Sequence, residues 1–480
     1  MENVGSTLTR LGRRPLLQAL GGLGGAACLG GLPGPARAAG FVDTRRGPGD
    51  AQVAHEIRGE FLHAWNGYKK FAFGHDQVLP VSGMSQEFFV DGHSIGLSII
   101  EALDTLYVMG LDDELSLGLG WIHDHLDFNI DGDFHVFEAI IRVVGGLLAG
   151  YLAVRDPRLL RLAKDVTDRL LPAFTRSPTG MPYQYVNFAT GAVSGAEPPL
   201  AEIGSNILEF GVLSQLTGDG RYYAAAKRAY RAAISRRSSL DLLGTTINIE
   251  TGAWVDGSDP GPNPPTDSFY EYLWGGYALF GDRECLAWYR LLNDAMTRHL
   301  VEQYDGLTWY KTVDFRTGAL LGRSQSELAS FWAELVAAGG DAKLGAAYYR
   351  SWTEVLVRYP VLPEQIDYTT LTATTVSNQF RPEYVNSSFD LYWRTGDPIY
   401  PLTAYLYFVG LKENARVANG YTILDDVTTS PMKQGDLFPA YGFAENFKYL
   451  YLIFARTRRF DTSNFYLSTE GKILRGLRPG

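Results

Sequence analysis

Cysteine is almost absent: the 480-residue chain contains only Cys28 and Cys285. Cys28 falls in a leader that reads as removable, so a mature chain keeps Cys285 alone and forms no intrachain disulfide. A chain this long does not need one, because its hydrophobic core suffices. Positive charge is also short, with 43 Lys and Arg against 53 Asp and Glu and a formal net charge of −10. That excludes nucleic acid as a partner, since phosphate binding needs basic patches. No His/Cys cluster has metal-ligand spacing, and neither a Gly-rich phosphate loop nor a Gly-x-Ser-x-Gly elbow is present in the body of the chain. No Ser/Gly/Pro-rich run or charge block divides the sequence after residue 50. One large closed domain over residues 39–480 is therefore expected, although length alone suggests about three domains.

The first 38 residues have a different character. Arg13-Arg14-Pro15-Leu16-Leu17 leads into a Gly/Ala/Leu stretch from Ala19 to Leu32, and Ala36-Arg37-Ala38 offers small residues to a peptidase. This is the pattern of a twin-arginine signal peptide and predicts export to the periplasm or beyond. The apolar stretch is too short and Gly-rich to remain as a membrane span. Cys28 is a candidate lipidation site, but Gly25 stands where a lipobox usually has Leu.

From there on, apolar residues recur at helical spacing, most clearly in Ile95–Met109, Phe137–Ala153, Leu200–Leu216, Ser268–Leu279, Leu328–Ala338, Glu383–Trp393 and Ala444–Ala455. Weaker segments bring the expected total to roughly fourteen helices. Three short alternating stretches (Val186–Ala192, Ile247–Ala253 and Val313–Ala319) each turn at Thr-Gly, a hairpin signal. Such repeating units cannot bury their own apolar faces, and stacking them into a closed ring solves the problem; an open solenoid is the alternative. Aromatic residues at 13% suit carbohydrate stacking and a large core equally.

Several acids interrupt these apolar helices. Glu138 and Arg142 stand four apart on one helix face, either as a structural ion pair or as a substrate-orienting pair. Asp267 and Glu271 repeat the spacing, and Asp267 is equally a candidate N-cap. In Arg381-Pro382-Glu383 the proline suits a first helical turn and Glu383 complements the helix dipole. Glu202, Glu209 and Asp104 also sit in apolar surroundings, with Asp104 expected to satisfy backbone groups in the core. Each acid alone has a structural explanation. Spread over the starts and middles of different helices of a ring, they can converge on a central cavity. A carboxyl pair across a cavity is the equipment of glycoside hydrolysis.

At these residues the sequence resembles glycoside hydrolase family 47, the class I α-1,2-mannosidases. The ordered motifs are His63–Tyr68 with Asp76–Pro80, Glu101–Leu111, Phe137-Glu138 with Arg142 and Gly145–Leu148, Ala201-Glu202, Leu208–Phe210, Leu216–Asp219, Asp267–Leu273, Arg381–Glu383, Lys448–Leu452 and Ser468-Thr469-Glu470. Leu362-Pro363-Glu364 and Ser326–Trp332 look closer to the ER-degradation-enhancing branch. The resemblance implies an all-α (α/α)7 barrel, a toroid of helical hairpins with short β-hairpins between helices. It implies a calcium-dependent, inverting α-mannosidase acting as a monomer on mannose-containing oligosaccharides. By carry-over Glu138 is the general acid, Glu383 the general base and Asp267 a third catalytic carboxylate. Arg142, Arg381, Glu202 and Glu470 bind substrate, and Thr469 supplies oxygens to one Ca²⁺, whose remaining ligands are waters and sugar hydroxyls.

Two departures stand out. The family's second acid, three residues after the base, is Asn386 here, and an acid before the last helix is replaced by Pro439, with Asp436 as a possible substitute. These changes leave two alternatives: a calcium-assisted glycan-binding protein of the same fold, and a hydrolase of another α-linked sugar.

Overall fold

The computed structural model describes residues 48–479, so the leader at 1–38, with Cys28, lies outside the described residues. Counting each broken helix once, fourteen helices alternate between two layers among the described residues. The outer layer holds α1 (Pro48–Phe71), α3 (Asp112–His125), α5 (Pro157–Thr175), α7 (Arg221–Ile234), α9 (Arg283–Leu300), α11 (Ala342–Arg358) and α13 (Ile399–Asn414). The inner layer holds α2 (Leu97–Val108), α4 (Val136–Val154), α6 (Leu200–Gly204 continued by Ile207–Thr217), α8 (Asp267–Phe280), α10 (Glu327–Phe331 continued by Trp332–Ala338), α12 (Glu383–Thr395) and α14 (Tyr441–Ala444 continued by Asn446–Phe454). α14 packs back on α1 and α2, which closes the ring into an (α/α)7 barrel.

The two layers read differently because they are solvated differently. Every residue of α2 is buried, whereas α5 buries a stripe of Leu159, Ala163, Val166, Leu170, Ala173 and Phe174 and leaves its charged face in water. Helix α4 is long and apolar enough to cross a membrane, but it is a core helix, 78% buried within the ring.

Inner helices pass to outer ones through tight turns. Gly218, Gly281 and Gly396 end α6, α8 and α12 in the left-handed region at φ 74°, 70° and 70°. Outer helices then start on side-chain caps, such as Asp156 accepting from the Arg158 N–H and Asp282 from the Glu284 N–H. The return connections are long and carry the hairpins, so these gather at the end where the inner helices begin.

The three Thr-Gly stretches are hairpins of one construction. Asn187, Asn248 and Asp314 each accept the N–H of the Thr three residues on (2.9, 3.0 and 2.8 Å), and the following glycine has φ near +70°. A fourth turn at Asp367 is a variant in which Oδ1 accepts the N–H of Thr369, two residues on (2.8 Å), with Leu371 at φ 52° in the glycine position.

Two inner helices expected to be continuous are broken. In α6, Asn206 donates to the Ile203 carbonyl (2.7 Å) and Ser205 to Ser268 (2.7 Å), so local side-chain bonds displace the helical ladder. In α14 the break falls at Glu445. From the opposite end of the ring a C-terminal hairpin (Tyr466–Leu467 with Ile473–Arg475) inserts against α8 and α4, burying Ser468, Glu470 and Lys472.

Candidate active site

The first turns of six inner helices surround one cavity of about 210 Å³, measured to the centre of a water-sized sphere. All eight residues expected from the sequence line it: Glu138, Arg142, Glu202, Asp267, Arg381, Glu383, Thr469 and Glu470. The convergence follows from topology. Helices that start at the same end of a ring bring their N-terminal residues to one axis, and the positive ends of their dipoles favour acids there.

Glu138 and Arg142 belong to α4, which forms a π-helical turn over Ala139–Val144. Such turns re-aim side chains and recur at functional sites. Arg142 Nε donates to Glu138 Oε2 (2.5 Å), while its Nη1 donates to Glu470 Oε2 (2.5 Å) and Glu101 Oε1 (3.3 Å). The guanidinium lies between the rings of Phe88 and Tyr441 at 5.5 and 5.3 Å. Glu101 in turn is paired with the buried Lys472. Burial would discharge Arg142, but Glu138, Glu470 and Glu101 hold it firmly protonated.

Asp267 is the first residue of α8 rather than its cap, and its Oδ1 accepts from the Ser268 N–H (2.8 Å). Burial pushes its pKa up to about 6 against the opposing pull of that bond and of Arg381. Burial likewise raises Glu383, at the start of α12, to about 8, with Arg381 opposing; its Oε2 is buried without a hydrogen-bond partner. Arg381 Nε donates to both oxygens of Glu364 at 3.1 Å. Glu202 is held by His135 (3.3 Å) and Gln184 (3.2 Å).

Three expectations change. Asp436 does not stand in for a pocket acid: its oxygens accept the N–H groups of Val81 (2.8 Å) and Ser82 (3.1 Å), tying down a loop, and it is not among the lining residues. Pro439 is not among them either, but Glu445 is, so an acid does reach the cavity just before the last helical segment. Glu271 also faces the cavity, where the sequence left it only as a helix neighbour of Asp267. The signal for both was an acid inside an apolar helix start, as in Phe443-Ala444-Glu445-Asn446-Phe447. Asp104, as expected, accepts a core backbone N–H, that of Ile473 (2.9 Å), and it also pairs with Lys448 (2.8 Å). Glu209 lies beneath the cavity, bonded by the Tyr272 hydroxyl (2.9 Å).

Acids outnumber cations around the floor. Burial raises Glu271 to about 8 and Glu470 to about 7, and it raises Glu445 well above its usual range, each with repulsion from neighbouring carboxylates added. Thr469 lies beside Glu271 and stands among these acids on the cavity wall. Among the described residues no three His, Cys, Asp or Glu converge closely enough to ligate an ion directly. The oxygen-rich lining of acids and Thr469 is chemically of the kind a hard cation takes.

A ring of fourteen helices with opposed carboxyls in an axial cavity defines a glycoside hydrolase of the (α/α)7-barrel class. The chain belongs to glycosyl hydrolase family 47, whose profile matches residues 60–476. It is 33% identical to Alpha-mannosidase I MNS5 of Arabidopsis thaliana over 454 residues, which covers 88% of this chain and 76% of that protein. It is 31% identical to the human ER degradation-enhancing alpha-mannosidase-like protein 2, covering 91% and 74%. Among solved structures, the alpha-1,2-mannosidase from Trichoderma reesei superposes with a TM-score of 0.81 at 26% identity, covering 89% of this chain and 99% of that one.

Proposed function

We propose that this chain is an exported, monomeric, calcium-dependent α-mannosidase that hydrolyses α-1,2-linked mannose with inversion. The observation that carries the reading is the meeting of Glu138, Asp267, Glu383 and Thr469 in one cavity. Glu138 gives its proton to the glycosidic oxygen, directly or through a water. Glu383 takes a proton from the water that attacks the anomeric carbon on the opposite face. Arg142 holds Glu138 in place, Arg381 draws Glu383 toward its ionised form, and Asp267 adds negative charge beside the developing oxocarbenium ion. Thr469 would hold Ca²⁺ through its hydroxyl and carbonyl oxygens; when bound, the ion supplies positive charge that keeps the surrounding carboxylates ionised. Leu362-Pro363-Glu364 and Ser326–Trp332 support a place near the ER-degradation-enhancing branch. Residues 1–38 carry the export reading.

The test is incubation with α-1,2-mannobiose, with and without a chelator, following early product by proton NMR. The β-anomer should appear first, the chelator should stop its release, and Glu383→Gln should lower turnover by about two orders of magnitude or more. The α-anomer first, or a fully active Glu383→Gln, overturns the assignment. A second reading, a glycan-binding protein of this fold, is favoured by Asn386, an amide on the cavity wall. Tight mannobiose binding without cleavage would establish it.

A further inference from the structure

Glu202 reaches the cavity from the first turn of α6, yet nothing on α6 fixes its side chain. Both of its oxygens are held from another part of the fold. Oε1 lies 3.3 Å from His135 Nε2, and Oε2 accepts from Gln184 Nε2 at 3.2 Å. His135 ends the strand Asp133–His135, which runs directly into α4 and Glu138, and it pairs in register with Tyr185 on the neighbouring strand. Its ring packs against those of Tyr185 and Phe137, at 5.0 and 6.2 Å. The imidazole and the carboxylate are both largely buried, with 21% and 14% of their side chains exposed. The charged groups facing His135 are Glu202 on α6 and Glu138 and Arg142 on α4; burial and Arg142 oppose its protonation, while Glu202 and Glu138 favour it and prevail.

We infer that His135 is a positioning residue for substrate: as an imidazolium it fixes the Glu202 carboxylate against the cavity wall, so glycan affinity falls as the solution turns alkaline. The inference rests on the reading of Glu202 as a substrate-binding group. A charge-assisted bond becomes a weaker neutral one when the imidazolium loses its proton, and Glu202 is then free to turn away from the sugar. The proton stays on below the raised His135 value and leaves as pH rises through it.

Two measurements test this. In the full-length protein, carbon–proton NMR with His135→Gln as the assignment control should show His135 titrating above the ordinary histidine value of 6.5. In Glu202→Gln the value should fall, because Glu138 alone then opposes burial and Arg142. The second measurement is calorimetric affinity for α-1,2-mannobiose on a Glu383→Gln background at pH 5.5 and 8.5. The loss of affinity between these pH values should be about fivefold greater with His135 present than in the His135→Gln version. Equal pH dependence in the two versions, or a His135 titration indifferent to Glu202→Gln, overturns the inference. If mannobiose binds at neither pH, the mannosidase reading fails, and the NMR titration still decides whether the pair exists.

Discussion

Replacing Arg142 by Met keeps most of the side chain's length and removes its charge. In the wild-type protein Arg142 is 8% exposed, and its guanidinium is bonded to Glu138, Glu470 and Glu101. Lys472 is the other cation in direct contact with this group, paired with Glu101. The substitution therefore leaves Glu138 and Glu470 without their cation. Breaking a buried ion pair from one side costs about 3–5 kcal/mol, and losing the flanking Phe88 and Tyr441 faces adds about 1 kcal/mol. Unfolding entropy of about 2.1 cal/mol/K per residue gives about 0.9 kcal/mol/K for the described ring. A loss of 4–6 kcal/mol then lowers Tm by only about 4–7 °C. Differential scanning calorimetry should show that shift, and turnover of α-1,2-mannobiose should drop by about a hundredfold or more because Glu138 loses its anchor. Adding Glu470→Gln to Arg142→Met removes one stranded carboxylate and should restore part of the lost Tm. A single variant as stable as wild type, or a double variant whose losses simply add, refutes the view that these groups form one coupled network.

Thr469→Val keeps the shape of the side chain and deletes one oxygen, so the rise in Tm on adding Ca²⁺ should shrink or vanish; an unchanged calcium titration rules out this site. Gly410→Ala should be destabilising by about 3 kcal/mol or more, because a Cβ there would lie 1.8 Å from the Pro360 carbonyl oxygen; a Tm equal to wild type would show that α13 can move away from that loop. Removing residues 1–38 should leave a soluble protein with a single cooperative unfolding transition, and aggregation of this shorter chain alone would assign the leader a structural role.

What the sequence made visible was the inner layer. All seven segments with clear helical spacing, from Ile95–Met109 to Ala444–Ala455, became inner helices. A helix packed on every side is apolar along its whole length, while an outer helix such as α7 shows only a stripe of Tyr222, Ala225, Ala226, Ala229 and Ala233 among arginines. Three hairpins were legible because glycine occupies their left-handed position; the fourth was not, because Leu371 takes that conformation and carries no turn signal. The eight candidate residues that line the cavity were legible because each sits in a motif that the resemblance could align. Glu445 needed the break in α14, and such a break has no periodicity to read. Partners far apart in sequence were equally invisible. Glu327 is wholly buried and bonded by Asn378 (2.8 Å), and Glu383 and Glu364 help hold its proton on. His135 meets Glu202 only because a strand joins its neighbour before α6 begins. Helix starts can thus be read residue by residue, but which of them share an axis is decided by ring closure. That closure forces these acids together in excess of their cations, and so creates the demand that a bound cation would meet.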